Sequence, residues 1–187
     1  MAYTTNTRQL RRLIQIIEYC STNYTEPLAV HYILKLDSTI GFRNLTKTIR
    51  RQGLSQTFSW FGSFEFKPSE TGHHCHLMMI IDWSRGLPKK MMLWQFRNAL
   101  AKLKGLRVVE DKTSVVLAHR KQPANVTKPL LDGDGQKVLF HCLKTEKADA
   151  IERFRYLTKT NQKHGVTAQR TTTSRLRLNP TTEVQAV

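Results

Sequence analysis

Residues 73–82 run His-His-Cys-His-Leu-Met-Met-Ile-Ile-Asp. Histidines lead into an unbroken apolar run, the pattern of a buried strand that begins at a polar edge. Side chains alternate faces along a strand, so His74 and His76 point one way and Cys75 the other. Two imidazoles side by side on a rigid strand suit a divalent metal. Taken alone, the stretch is explained as well by a core strand whose histidines find hydrogen-bond partners.

The segment before it narrows the choice. Residues 57–66 (Thr-Phe-Ser-Trp-Phe-Gly-Ser-Phe-Glu-Phe) alternate, with Phe58, Trp60, Phe64 and Phe66 on one face and Ser59, Ser63 and Glu65 on the other. Lys67-Pro-Ser-Glu-Thr-Gly72 is a turn by composition. The two strands are expected to form an antiparallel hairpin. If Phe66 lies opposite His73, then Glu65 lies opposite His74, and any two-residue shift keeps Glu65 on the same face as His74 and His76. Glu65, His74 and His76 are therefore candidate metal ligands. A zinc module built from His73, His74, Cys75 and His76 is disfavoured, because adjacent strand residues cannot converge on one ion.

Composition points to the partner. The 187 residues are enough for one domain with a real core. Lys and Arg total 30 against 14 Asp and Glu, a formal net charge of +16. That imbalance favours a polyanion, nucleic acid first, and no long apolar span or lipid-facing basic helix supports a membrane partner. The first residues lack an apolar signal-peptide region, and the odd count of three cysteines (Cys20, Cys75, Cys142) without Cys-x-x-Cys spacing argues against a disulfide scaffold. A reducing, cytoplasmic location is expected.

The remaining elements follow from periodicity. Helices are expected at Thr7–Tyr19, Ser38–Leu54, Pro88–Lys104 and Ala148–Thr160, and strands at Leu28–Asp37 and Gln136–Leu143. Leu106–Ala118 reads as a hairpin or a bent strand, and Arg120–Gln136 as loop. Asp132-Gly-Asp-Gly135 starts like a calcium loop but lacks the glycine and glutamate that the pattern needs later, so a tight turn is expected. His31, alone in the first strand, reads as structural. His141 fits either a core position or a place near the site. The fold class is α+β: an antiparallel sheet of about four or five strands flanked by helices. Residues 1–27 form a helix and lead-in, 28–164 the main domain, and 165–187 a basic tail poor in large apolar groups, expected to be largely disordered.

The final helix supplies a nucleophile candidate. Tyr156 and Lys159 are three residues apart and share a helix face. A phenol with a pKa of about 10 is a poor nucleophile at neutral pH, and a nearby ammonium favours the phenolate. A Tyr-x-x-Lys pair by itself is most often a solvated surface feature. Joined to a Glu…His-x-His hairpin in a strongly basic chain, it means more.

Together these residues resemble the HUH endonucleases with a single tyrosine. Phe140-His-Cys-Leu-Lys-Thr145 followed by Tyr156-Leu-Thr-Lys159 is similar to the replication proteins of filamentous phages and their prophage relatives. The resemblance covers residues 28–164. It implies a rolling-circle replication initiator: a nicking and joining enzyme with Mg²⁺ or Mn²⁺ on Glu65, His74 and His76. Tyr156 would attack single-stranded DNA at a replication origin to give a 5′-phosphotyrosine link, assisted by Lys159. The sequence carries no P-loop, so a host helicase would unwind the duplex and a host polymerase would extend the freed 3′ end. A single-tyrosine transposase or relaxase uses the same chemistry on other DNA. A non-enzymatic DNA-binding protein with structural histidines is the remaining alternative.

Overall fold

The computed structural model describes residues 5–37, 45–67, 72–84, 87–106, 114–122, 125–160 and 171–174. Its centre is β3 (Gly72–Asp82), flanked by β1 (Pro27–Lys35) and β2 (Phe58–Lys67), all antiparallel. The sheet runs β4-β1-β3-β2-β8, with β4 at Val115–Ala118 and β8 at Thr171–Thr173. A sixth strand, β7 (Phe140–Cys142), shares the outer edge of β1 with β4. This is the α+β architecture expected from the sequence, a central antiparallel sheet with four helices against it.

Both faces of the sheet are covered, which explains the unbroken apolar run in β3. On one face, Val30, Tyr32, Leu34, Cys75, Leu77, Met79 and Ile81 pack with Leu45 and Ile49 of α2 (Leu45–Arg51) and Met92, Leu93, Phe96 and Leu100 of α3 (Lys89–Leu100). On the other, Ala29, Phe61, Met78 and Ile80 meet Leu13, Ile16, Ile17 and Cys20 of α1 (Thr7–Asn23). Ala150 and Phe154 of α4 (Lys147–Arg155) join that second layer, with Leu157 just beyond it. Asn6 caps α1, its side-chain oxygen accepting the Gln9 N–H at 3.0 Å.

Several boundaries move. Helix α1 continues to Asn23, because Leu13, Ile16, Ile17 and Cys20 keep one stripe buried past Tyr19. Of the helix expected at 38–54, residues 45–51 are helical, residues 38–44 lie outside the described residues, and Gly53 at φ +77° stops it. The 67–72 turn and most of 106–113 also fall largely outside them. The segment read as loop after Arg120 holds a two-stranded ribbon, β5 (Lys121–Gln122) with β6 (Asn125–Pro129). Asp132 forms a turn as expected: its carboxylate accepts the N–H of Asp134 and of Gln136, and Gly135 takes φ +71°. The three cysteines are free thiols. No helix among the described residues is long and apolar enough to cross a membrane.

Residues 171–174, within the basic tail, depart from the disorder expected there. Thr171–Thr173 pair with Ser63, Gly62 and Phe61 as the edge strand β8, and Ser174 accepts a 3.0 Å hydrogen bond from Arg12 at its carbonyl. Composition reads as disorder, yet three threonines are β-branched, and β2 offers an edge of backbone groups that need partners.

Candidate metal and tyrosine site

The hairpin register is the one that aligns the ligands. Phe66 pairs with His73, Glu65 with His74 and Ser63 with His76. Opposite residues of an antiparallel pair share a face, so Glu65, His74 and His76 project together toward the side where α1 and α4 pack. Cys75 turns into the opposite core, and the His73 ring lies against Phe66 with centroids 4.6 Å apart. The four-residue zinc grouping does not form.

Glu65 Oε2 lies 3.5 Å from His74 Nε2 and 3.6 Å from His76 Nε2, and the three donor atoms are within 4.8 Å of one another. Ligands of a cation bonded at about 2.1 Å stand roughly 3 Å apart, so a modest contraction brings these three onto one ion. His74 Nδ1 faces the Gly72 carbonyl at 3.2 Å, and the Nε2 atoms of both imidazoles face the Glu65 carboxylate. Two imidazole nitrogens and a carboxylate turned to one point suit a proton or a metal cation between them. The group could hold a metal ion.

Electrostatics favour the form a metal needs at Glu65 and at His76. Glu65 is 1 % exposed. Burial pushes its carboxyl up, but the His74 hydrogen bond and the neighbouring His76 and Lys159 outweigh that and hold it below the usual value. An isolated buried carboxylate would cost roughly several kcal/mol, which makes a partner such as the Lys159 ammonium necessary. His76 sits well below the usual imidazole value, through burial first and then the neighbouring His31, and is neutral at pH 7. Ser63, completely buried, has no hydrogen-bond partner for its hydroxyl among the described residues and lies on the same face.

Tyr156 comes to this group from the end of α4. The α-helix stops at Arg155, and Tyr156–Thr158 form a 3-10 turn with Lys159 extended after it. Asn6 N–H donates to the Thr158 carbonyl at 2.9 Å, and Thr5 bridges Lys159, which pins the turn to the start of the chain. The phenol oxygen is 3.1 Å from His76 Nδ1 and 2.8 Å from His31 Nε2. One imidazole thus separates the hydroxyl from the candidate metal position.

The expected role of Lys159 changes. Its ammonium lies 3.4 Å from Glu65 Oε1 and 5.5 Å from the Tyr156 ring centre, so it neutralises the carboxylate. The phenol is pushed above its ordinary value by burial first; Arg153 opposes this, while the negative charge of Glu65 adds to it. The helix face that was to align Tyr156 with Lys159 ends at Arg155, and the tighter turn sends the lysine to the glutamate instead.

His31, expected from the sequence to be structural, lies against the candidate site: besides Tyr156, its Nε2 stands 3.0 Å from His76 Nδ1, and its Nδ1 is 3.4 Å from an Arg153 nitrogen. Burial, with Arg153 and Lys121 nearby, lowers it to about 3, so the ring is neutral at pH 7. The one signal available was a histidine in the middle of an otherwise apolar strand. Its pairing with Met78, which puts it on the face of His76, is a contact 47 residues away. His141 lies on that face too, opposite Ala29.

Comparison with protein-family models, with curated proteins and with solved structures finds no match to this chain.

Proposed function

We propose that this protein is a metal-dependent endonuclease and strand transferase that nicks single-stranded DNA at a replication origin and so initiates rolling-circle replication. The observation that carries this reading is the phenol of Tyr156 placed 3.1 Å from His76, whose other ring nitrogen faces Glu65. A half-buried tyrosine hydroxyl set against two imidazoles, beside a three-ligand group, is the placement a covalent nucleophile needs.

The chain's own residues divide the work. Tyr156 Oη forms a bond to phosphorus as the P–O3′ bond breaks, leaving a 5′-phosphotyrosine and a free 3′-hydroxyl. The phosphodiester bond energy is kept in the new linkage, so the reverse attack by a 3′-hydroxyl rejoins a strand. His31 Nε2, 2.8 Å from Oη, is the base within reach of the phenol proton. Glu65, His74 and His76 would hold Mg²⁺ or Mn²⁺, which supplies charge neutralisation at the scissile phosphate. Lys159 balances Glu65. The net charge of +16 supports a polyanionic substrate. The 3′-hydroxyl serves a polymerase as primer, and strand separation falls to a separate helicase in the bacterial cytoplasm.

The test is a denaturing gel with labelled single-stranded DNA from the origin of the replicon that encodes the protein, with Mn²⁺ or with EDTA. A covalent adduct that forms only with metal and is lost in Tyr156→Phe, while DNA affinity stays within about twofold, is the expected result. Tight, salt-sensitive binding with no adduct under any condition would leave a DNA-binding protein without this chemistry.

A further inference from the structure

Helix α3 buries one face against the sheet and keeps a different one in solvent. Met92, Leu93, Phe96 and Leu100 face the core, while Met91 and Trp94 are 51 % and 47 % exposed. Single exposed apolar residues are ordinary. Trp94, however, has a built neighbourhood. The Arg97 guanidinium lies 4.7 Å from the indole centre, and its Nε donates to the Val115 carbonyl at 2.9 Å, so strand β4 fixes it there. Lys90 stands one helical turn before Trp94 on the same face. Residues 89–104 carry five Lys or Arg and no Asp or Glu.

Lys90 also lines a cleft of about 100 Å³ at the start of α3, open to solvent and walled by Val138, Leu139 and Phe140. A closed apolar cavity of about 150 Å³ takes a benzene ring. This smaller cleft, open on one side, has room for a flat ring whose edge stays in water. Around it, Lys89, Lys90 and Lys137 face Asp132 and, in the same turn, Asp134. Lys90 is 3.9 Å from the Asp132 carboxylate. Charge at the cleft is thus close to balanced, which suits an uncharged ring and not a phosphate. The unopposed positive charge lies further along α3, beside the tryptophan.

Size and charge together choose the partner. A stable protein interface covers about 800 Å² on each side and is poor in lysine. The exposed large apolar side chains among the described residues are Met91, Trp94, Val116 and Leu131, too few for that. A membrane surface needs a continuous apolar face, and the one on α3 is already buried against the sheet. A nucleobase needs one aromatic face beside a cation, and its backbone needs lysine and arginine.

We infer that the exposed face of α3 is a second contact for single-stranded nucleic acid, with one base stacked on Trp94 and another in the cleft beside Lys90. Its assignment to the strand that is nicked rests on the reading above; its preference for single-stranded nucleic acid does not. The contact lies on the opposite face of the sheet from Tyr156. Phe140 pairs with Val30 and packs with the α3 layer, whereas the next residue of β1, His31, faces the tyrosine. A strand held at both places passes round the outer edge of β1, and the second contact retains it between cleavage and rejoining.

The test uses the full chain carrying Tyr156→Phe, so that no adduct forms, with a short oligothymidylate as the probe. Binding should quench tryptophan fluorescence. Trp94→Ala should remove most of the quenching and weaken binding about fivefold or more, and Trp94→Phe, which keeps a ring, should recover much of that affinity. Val138→Phe, which fills the cleft from its rim, should weaken binding about threefold; no change there removes the base from the cleft. Equal affinity and equal quenching in Trp94→Ala overturn the contact. Oligoglutamate of matched charge that quenches as well as the DNA also overturns it, because the face then reads charge alone. Concentration-dependent sedimentation that Trp94→Ala abolishes, with oligothymidylate binding unchanged, makes the face an interface between copies instead. The nicking reading is judged apart, with Tyr156 restored. Trp94-dependent binding without any adduct keeps this contact and removes the nicking chemistry; an adduct with no Trp94 effect on binding does the reverse.

Discussion

At the scale of single residues, the site depends on Glu65 facing two imidazoles and the Lys159 ammonium at once. Glu65→Gln keeps the shape and removes the charge that attracts a cation. Mn²⁺ affinity, read by calorimetry, should fall at least ~10-fold, and nicking with it. His31→Gln probes a different step. It leaves Glu65, His74 and His76 in place, so Mn²⁺ binding should stay within about twofold, while the rate of adduct formation drops roughly 10²–10⁴-fold with the proton acceptor gone. Equal losses of metal affinity in both variants would mean that His31 serves the ligand set instead of the phenol. The ligands were legible in the sequence because a hairpin is local: parity along two strands joined by four residues puts Glu65, His74 and His76 together whatever the exact turn. His31 was not, because its face is set by pairing with Met78, and nothing near His31 in sequence reveals that register.

At the scale of elements, strong periodicity was readable and switches in geometry were not. The stripes of α1 and α3 and the apolar run of β3 fell where burial on covered faces requires. The change from α-helix to 3-10 turn at Tyr156 left no mark in composition, and it redirects Lys159 from the phenol to Glu65. Strand β8 was hidden by the polarity around it. Its removal is informative: a chain ending at residue 170 loses the pairing with β2 and the Arg12 contact to Ser174. The expected outcome is a loss of about 1–2 kcal/mol, seen as a melting temperature lower by roughly 2–8 °C, together with concentration-dependent light scattering from the bared edge of β2. Unchanged melting and no scattering would mean that β8 adds nothing to the stability of the sheet.

At the scale of the whole molecule, buried histidines couple stability to pH. His141 is lowered to about 4, by burial first and then by Arg120. In the unfolded chain an imidazole titrates near ~6.5, so above that pH both states are neutral and His141 contributes no pH dependence. Between 6.5 and 4 the unfolded state takes up a proton that the folded state refuses. Stability therefore falls with acidification in that window, by about 1.4 kcal/mol per pH unit for this group alone. His31 and His76, lowered by their own burial, act in the same direction. Urea unfolding at pH 7, 6 and 5 should show the decline, and His141→Phe should flatten it by one proton's worth. A slope unaltered by the substitution would place the proton uptake elsewhere.

The fastening of the 3-10 turn to Thr5 and Asn6 has a practical side. The tyrosine is held partly from the far end of the polypeptide, some 150 residues earlier. An affinity tag joined closely ahead of Thr5 would tug on the turn that carries the reactive hydroxyl, and an assay of such a fusion would report the tag's strain along with the enzyme's rate. A removable tag, or one spaced from Thr5 by a flexible linker, leaves that anchor at rest.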